Sequence, residues 1–207
     1  MNFRHTYFTL LAITVLLILI PGGSLIGQQL IIQEDQSKLW IEGDSNVKSF
    51  TCDAKEYHAD AQQLQIDQTD ITEEANNLSV TLQIGVKGFD CGRRKMNSDL
   101  NEALKSDKFP YIEFTYTSTE NIDYIEDDER YEVTVIGDLT VAGVTQQIRF
   151  ILEGYLLDDG KLRARGEKEI NMKDYDVEPP VAMLGIVRVD EHLTVHFDLT
   201  AVLSDER

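Results

Sequence analysis

Two histidines near the C-terminus, His192 and His196, have the H-x-x-x-H spacing that can bind a metal ion. On a helix this spacing places both imidazoles on one face. The residues between them alternate between polar and apolar types, so we predict a strand instead. Four residues of strand span about 13 Å, which is too far for two ligands of one ion. We therefore predict no metal site and place both histidines on the solvent-facing side.

Carboxylates form the other candidates for chemistry. Residues 126–129 (E-D-D-E) lack the spaced Asp/Asn and glycine pattern of a calcium loop, so we predict a solvated hairpin tip. Asp174 and Asp176 could pair as catalytic carboxylates, but no nucleophile or base motif accompanies them. The sequence contains no G-x-S-x-G, no glycine-rich phosphate loop and no H-E-x-x-H. We predict that the protein is not an enzyme, with no catalytic residue and no cofactor.

The chain contains two cysteines, Cys52 and Cys91. In an oxidising compartment such a pair commonly forms a disulfide, and closing this loop would stabilise the fold by roughly 4 kcal/mol. The alternative is a pair of buried thiols that act as small apolar residues. Their spacing is too wide for a zinc motif, and no histidine or further cysteine lies close by. We predict the disulfide.

The N-terminus has the layout of a secretory signal. A basic start with Arg4 leads into an apolar run over residues 7–20, which Pro21 and the small residues 22–24 interrupt. The run is shorter than the roughly 20 apolar residues of a membrane span, although an uncleaved N-terminal anchor is the alternative. We predict a signal peptide over residues 1–27 and a periplasmic or secreted protein with no membrane span after cleavage. Residues 28–207 then form one domain.

The strong acidity of the chain limits its partners. The net charge is −18 and the isoelectric point is near 4.5. Phosphate backbones are bound through lysine and arginine, so this charge argues against a nucleic-acid partner. It also disfavours docking on anionic lipid headgroups, which basic clusters attract.

Alternation of apolar and polar residues dominates the rest of the chain and predicts an all-β fold. It is clear over residues 78–86, 111–118, 130–141, 148–152 and 193–199, and weaker over 38–44, 49–61 and 161–172. Turn signals separate these runs, as at residues 158–160 (D-D-G). About eight strands joined by short turns predict an antiparallel barrel or sandwich.

One segment has helical spacing instead. Asn97 is a good N-cap residue, and Leu100, Ala103 and Leu104 would share one face of a helix that ends before Pro110. We expect this short helix to pack over an open end of the barrel.

Three stretches together resemble the YceI-like family of exported lipid-binding proteins. They are residues 109–114 (F-P-Y-I-E-F), the hairpin 135–145 (V-I-G-D-L-T-V-A-G-V-T), and the helix with Met96. The likeness runs from about Trp40 to Leu203. It implies a lipocalin-like barrel that encloses a long apolar molecule, such as a polyisoprenoid, an isoprenoid quinone or a fatty-acid derivative. It also implies a periplasmic or secreted location.

The chain departs from the family pattern at two places. Gln146 and Gln147 stand where the family often has a basic residue and a proline, and the opening strands differ and carry Cys52. The sequence therefore resembles a cysteine-bearing branch, whose ligand could differ as well.

With the resemblance, the inward face of the strands becomes the predicted binding site of a carrier. We predict that it is lined by Leu82, Ile84, Phe114, Tyr116, Val133, Val135, Phe150, Val195 and Phe197. Phe89, Met183 and Leu184 are predicted to form a flexible mouth. The alternative is a protein-interaction or structural barrel with a filled core, because periodicity alone does not separate a packed core from a lined pocket. The sequence leaves the ligand and the oligomeric state, including a homodimer, open.

Overall fold

Antiparallel strands make up most of the chain in the computed structural model, which describes residues 28–63 and 78–205. The strands are β1 (Gln28–Ile32), β2 (Lys38–Ser45), β3 (Phe50–Ala54), β4 (Tyr57–Gln63), β5 (Leu78–Gly85), β6 (Phe89–Asp90), β7 (Tyr111–Ile125), β8 (Arg130–Val141), β9 (Val144–Leu156), β10 (Leu162–Asn171), β11 (Val181–Ala182) and β12 (Val187–Asp205). The described ranges contain one α-helix, α1 (Arg94–Ala103). The predicted signal peptide, residues 1–27, lies outside them.

The strands curl into a barrel. They pair in the order β1-β4-β5-β7-β8-β9-β10-β12, and β12 also pairs with β1, so the hydrogen-bonded path returns to its start. Some segments that are consecutive in the sequence lie end to end beside the same neighbour, so that each pair acts as one interrupted strand. These pairs are β1 with β2, β3 with β4, and β5 with β6. Setting aside the two-residue β11, the twelve segments thus reduce to eight strands. The predicted antiparallel, lipocalin-like barrel of about eight strands with one short helix is confirmed.

The register explains why the sequence alternates. Val195 on β12 lies opposite Ile41 on β2, which lies opposite Cys52 on β3, and all three face the barrel interior. Their sequence neighbours His196 and Trp40 belong to the next row and face outward. Successive strand residues point to opposite faces, so one apolar residue in two is enough to build a dry interior.

Close packing is concentrated at one end of the barrel. We call it the helix end, because α1 and the 3-10 turn Met172–Tyr175 lie there with the turn between β8 and β9. The opposite end, with the turns between β7 and β8 and between β9 and β10, is the turn end. The main buried cluster at the helix end consists of Val86, Leu104, Leu139, Val141, Ala142, Ile170, Met172, Tyr175 and Val177. This end of the interior is therefore filled by protein.

The helix begins earlier than its sequence predicts. Its N-cap is Arg93, whose side chain makes no capping hydrogen bond, and the prediction of Asn97 as the N-cap is wrong. Asn97 lies one turn inside the helix, and its Oδ1 accepts the backbone N–H of Cys91 at 2.8 Å. The side chain thus satisfies a backbone donor of the preceding strand segment and ties α1 to it.

The predicted disulfide between Cys52 and Cys91 is present, and the alternative of two free thiols is wrong. It joins β3 to the residue that follows β6, next to the strand pair Asp53–Asp90. Cys52 is 1 % exposed, inside a second cluster that also contains Leu39, Ile41, Ala54, Tyr57, Ile84 and Phe89. The bond therefore reinforces the contact between β3 and β6, which pair through only two residues of each strand.

Removing the disulfide should destabilise the barrel substantially. Because the two cysteines are 39 positions apart in the sequence, the double variant Cys52→Ala/Cys91→Ala should lose about 4 kcal/mol of unfolding free energy. Urea unfolding with and without a thiol reductant measures this loss. The reductant should lower the stability of the parent protein and leave the double variant unchanged. Equal stability of the parent protein and the double variant without reductant would contradict the prediction.

An ion pair on the outer face of the barrel links β10 to β12. Arg163 on β10 donates from Nε and Nη2 to the two carboxylate oxygens of Asp198 on β12, at 2.7 and 2.6 Å. This bidentate geometry is the stronger form of such a pair. The hydrogen bond from Arg163 holds the pKa of Asp198 below its ordinary value.

The contribution of this pair should disappear in acid. A carboxyl group whose pKa is lowered by folding stabilises the protein above its unfolded pKa of about 3.9, and loses that effect as the pH falls through the folded pKa. Asp198→Asn should cost about 1 kcal/mol or less at neutral pH, because the pair is partly exposed. The gap to the parent protein should close below the unfolded pKa. Chemical unfolding of the parent protein and the variant, at neutral pH and at a pH below the unfolded pKa, tests this. A stability difference that does not depend on pH would contradict the prediction.

Candidate functional site

Three phenylalanine rings form a row across the inner face of the barrel. Phe114 comes from β7, Phe150 from β9 and Phe197 from β12. The ring centroids of Phe114 and Phe150 are 5.7 Å apart, and those of Phe150 and Phe197 are also 5.7 Å apart. Both contacts are edge-to-face, a favoured arrangement of aromatic rings. Phe150 is the centre of the row.

Two glycines on the intervening strands make the row possible. A Cβ on Gly137 of β8 would lie 2.4 Å from Cζ of Phe114, and one on Gly166 of β10 would lie 2.5 Å from Cζ of Phe197. Real Cβ atoms do not approach a ring so closely, so any other residue would force the ring away. Each glycine therefore lets a ring from one strand lie across its neighbour toward Phe150.

The row is only half-buried, although it faces inward. At the helix end, inward residues such as Val86 and Val177 are each 1 % exposed. Around the row, other inward side chains are also half-buried: Leu82, Tyr116, Val133, Leu152, Val195 and Leu199. Each of these side chains therefore keeps some exposed surface. Single residues at the same level are buried, such as Val135 opposite Phe150 and Leu39 opposite Phe197. The interior thus combines a packed helix end with an apolar surface that is only partly covered.

Tyr116 brings a polar group to this apolar surface. Its hydroxyl oxygen lies 3.0 Å from Oγ1 of Thr119, which is buried. An irregularity of β7 between Tyr116 and Ser118 brings Thr119 to the inward side, opposite Val135. Burial raises the pKa of Tyr116, so the phenol stays neutral at physiological pH.

The sequence profile of the YceI-like domain matches residues 32–201. The chain belongs to the YceI-like family. The match spans the strands that carry the phenylalanine row and the helix end, so the resemblance found in the sequence is confirmed. Among curated protein sequences, none matches this chain.

Solved structures share the fold of this YceI-like domain at low sequence identity. BcnA of Burkholderia cenocepacia is 18% identical with a TM-score of 0.60, and the match covers 83% of this chain and 99% of that one. A polyisoprenoid binding domain from Saccharophagus degradans is 15% identical with a TM-score of 0.60, covering 85% and 98% of the two chains. The YceI protein of Campylobacter jejuni is 18% identical with a TM-score of 0.53, covering 75% and 84%.

The predicted lining residues fall into two groups in this YceI-like domain. Those at the half-buried surface are Leu82, Phe114, Tyr116, Val133, Phe150, Val195 and Phe197. Ile84 and Val135 also face inward but are each 5% exposed, within the packed interior. Leu152, Gly166 and Leu199 belong to the same surface, and Gly137 is buried beneath the ring of Phe114. None of these four residues was predicted. The signal for the two glycines was present, since each occupies an apolar position of an otherwise regular alternation.

Two of the residues predicted to form a mouth, Phe89 and Leu184, lie in different surroundings. Phe89 is 3% exposed in the cluster around the disulfide, because β6 pairs with β3 and draws it into the core. Leu184 is fully exposed between β11 and β12, with a left-handed backbone (φ 59°). The side chain of Met183 lies outside the described part of the structure.

The two histidines lie apart on the outer face of β12. His196 stacks on Trp40 with ring centroids 4.9 Å apart, and its ring nitrogens lie 3.5 Å from Glu42 and 3.3 Å from Glu167. His192 contacts Asp190 instead, at 3.2 Å. Across residues 28–63 and 78–205, no group of three or more His, Cys, Asp or Glu side chains is placed to hold a metal ion.

The segment with Asp174 and Asp176 closes the helix end. Tyr175 between them is 2% exposed, and burial raises its pKa to about 12. Nε2 of Gln146 donates to the backbone oxygen of Asp174 at 2.9 Å, which fastens the segment to β9. The two carboxylates are exposed and flank a structural plug. No helix in the described ranges is both long and apolar enough to cross a membrane.

A polar groove of about 670 Å³ follows the outside of α1. Lys87, Arg94, Asn101, Lys105 and Lys108 are among its lining residues. It is separate from the phenylalanine row and differs from it in chemistry. The apolar surface inside the barrel is therefore the candidate site for an apolar ligand.

Filling one of the two glycine positions should disturb the row. Gly166→Ala should cost about 1–3 kcal/mol of unfolding free energy, because the new methyl group displaces the ring of Phe197. Gly154→Ala on β9 is the matched control, since its Cβ would have its nearest contact at 3.7 Å. Thermal or urea unfolding of both variants tests this. The prediction fails if the two variants are equally stable.

Proposed function

We propose that this protein is an exported carrier that binds a long apolar molecule at the half-buried apolar surface inside its barrel. The class of ligand is a polyisoprenoid, an isoprenoid quinone or a fatty-acid derivative. The observation that carries the proposal is the row Phe114, Phe150 and Phe197, which faces inward and yet stays half-buried. Binding in the barrel would not depend on a catalytic residue or a cofactor.

The chemistry of this surface suits an aliphatic or isoprenoid chain. Covering apolar surface is worth about 25 cal/mol per Å², so a chain that covers three rings and the aliphatic residues around them binds without many polar contacts. The rings are held by edge-to-face contacts and by the glycines beneath them. A preorganised surface of this kind loses little side-chain entropy when a ligand binds.

Two comparisons support this ligand class. The chain is a member of the YceI-like family, and a solved structure with the same fold is described as a polyisoprenoid binding domain. The identity to that structure is 15%, so the likeness concerns the fold, and the half-buried row of this chain supplies the argument for its own ligand.

The disulfide supports export. Disulfides persist in secreted and periplasmic proteins and are rare in the reducing cytosol. The bond between Cys52 and Cys91 therefore agrees with the signal-like pattern of residues 1–27. Both features together support a periplasmic or secreted location.

A structural barrel with a filled core is the other function that the sequence allows. Such a barrel would bury its inward aromatic rings as completely as it buries Val86 and Val177 at the helix end. The exposure of the row favours the carrier.

A charge within the row should abolish ligand binding. Phe150→Glu places a carboxylate at the centre of the row, where an apolar chain cannot solvate it. Ile151→Glu is the matched control, because Ile151 is the next residue of β9 and is 52% exposed on the outer face. Native mass spectrometry and solvent extraction of the purified proteins should find an apolar molecule on the parent and on Ile151→Glu only.

The carrier hypothesis fails if the parent protein, purified from its own cells, carries no apolar molecule and takes up none when it is offered. It also fails in its assignment of the site if Phe150→Glu is folded and retains full occupancy. Far-ultraviolet circular dichroism establishes that the variant is folded before its occupancy is compared.

A further inference from the structure

A lysine lies on the inward face of this otherwise uncharged interior. Lys168 on β10 is opposite Val195 on β12, which is opposite the buried Ile41 on β2, and that row faces inward. The registers of β2 to β5, β7 to β10 and β12 give the other inward positions. Among the inward positions with described side chains, Lys168 is the only one that carries a charge.

The neighbours of Lys168 on this face are apolar. Gly166 and Ile170 precede and follow it on the inward side of β10, and the ring of Phe197 lies over Gly166. Ile170 is 9% exposed in the cluster at the helix end, whereas the row is half-buried. Lys168 thus lies between the packed cluster at the helix end and the half-buried row.

Lys168 has no partner among the described residues. On the outer face of the same strand, Arg163 and Arg165 both contact the carboxylate of Asp198. Just beyond the strand, Lys173 pairs with Glu191. Lys168 makes no hydrogen bond or ion pair with any residue in the described ranges, although 37 of the 207 residues of this chain are acidic.

The sheet is also open beside this lysine. The pairing of β9 with β10 ends at Leu152 opposite Gly166, so Lys168 is the next inward residue after the paired stretch. Lys168 is half-buried there. Its side chain is therefore partly accessible beside the row.

We propose that Lys168 binds the anionic head of the ligand, a carboxylate or a phosphate at one end of a long apolar chain. The inference rests on the proposed carrier function and narrows its ligand class to anionic amphiphiles. A charge-assisted hydrogen bond to the head would satisfy a cation that the protein leaves unpaired among apolar neighbours. The chain would then run over Phe197 and Phe150 toward the turn end.

The acidity of the protein makes this lysine more important for such a ligand. A net charge of −18 disfavours an anion at the surface, so a local cation is required to hold a charged head. A neutral ligand gains nothing from Lys168. The single interior charge therefore selects between ligands that have the same apolar chain and different heads.

The test compares three probes of equal chain length: hexadecanoate, hexadecyl phosphate and hexadecanol. Binding to the delipidated full-length mature protein is measured by displacement of a neutral fluorescent probe. Lys168→Met should weaken binding of the two anions by about tenfold or more and leave the alcohol unchanged, the usual worth of a charge-assisted hydrogen bond. Lys168→Arg should retain anion binding. Lys48→Met is the matched control, because it removes one positive charge from an exposed lysine in the turn between β2 and β3. It should leave the binding of all three probes unchanged.

The other outcomes distinguish failure of the inference from failure of the carrier function. If Lys168→Met weakens the alcohol as much as the anions, or weakens neither anion, Lys168 does not bind the head and the inference is wrong. If the parent protein binds the alcohol and neither anion, the carrier function holds while the inference fails. If the parent protein binds none of the three probes, the carrier function itself is rejected. A loss confined to one anion identifies the head as carboxylate or phosphate.

Discussion

The inner surface of this barrel depends on the space that Gly137 and Gly166 leave for aromatic rings. Inward side chains come from every strand of a closed sheet, and bulky residues on all of them would either fill the interior or clash. Gly137 and Gly166 have only a hydrogen atom in place of a side chain. The rings of Phe114 and Phe197 can therefore lie over these glycines and meet at Phe150. The three rings thereby form a continuous apolar surface on the inner face of the barrel.

Packing is tighter at one end of the barrel than along the rest of its interior. The helix end contains the main buried cluster and the Tyr175 plug, and the hydrogen bond of Asn97 ties the helix to the chain at the disulfide. Toward the turn end, inward side chains such as those of Val133 and Leu199 are only half-buried. A rigid packed end can hold the strands in register, so the other end does not have to be filled in order to be stable.

Much of the fold followed from the sequence because strand periodicity is a direct physical signal. Alternation gave the strands and their inward faces, and parity of the cysteines gave the disulfide. The degree of burial of each inward side chain could not be predicted, because periodicity indicates which face a side chain lies on and not which atoms cover it. Ile84 and Phe114 alternate alike, yet one is buried and the other half-buried. Asn97 was misassigned because its side chain accepts from the backbone N–H of Cys91, which precedes the helix, and not from a backbone N–H of the helix's first turn. The inward place of Lys168 was implied by the alternation of residues 162–170 and was not recognised.

The bond between Cys52 and Cys91 also changes the topology of the covalent chain. It closes a ring from which two tails extend, one with β1 and β2 and the other with α1 and all strands from β7 onward. A single backbone cleavage inside the ring would not separate the molecule, since both pieces remain joined through sulfur. The interrupted strands β3 to β6 are the part of the barrel within that ring, so its least regular region is the one in which a cut chain would stay in one piece.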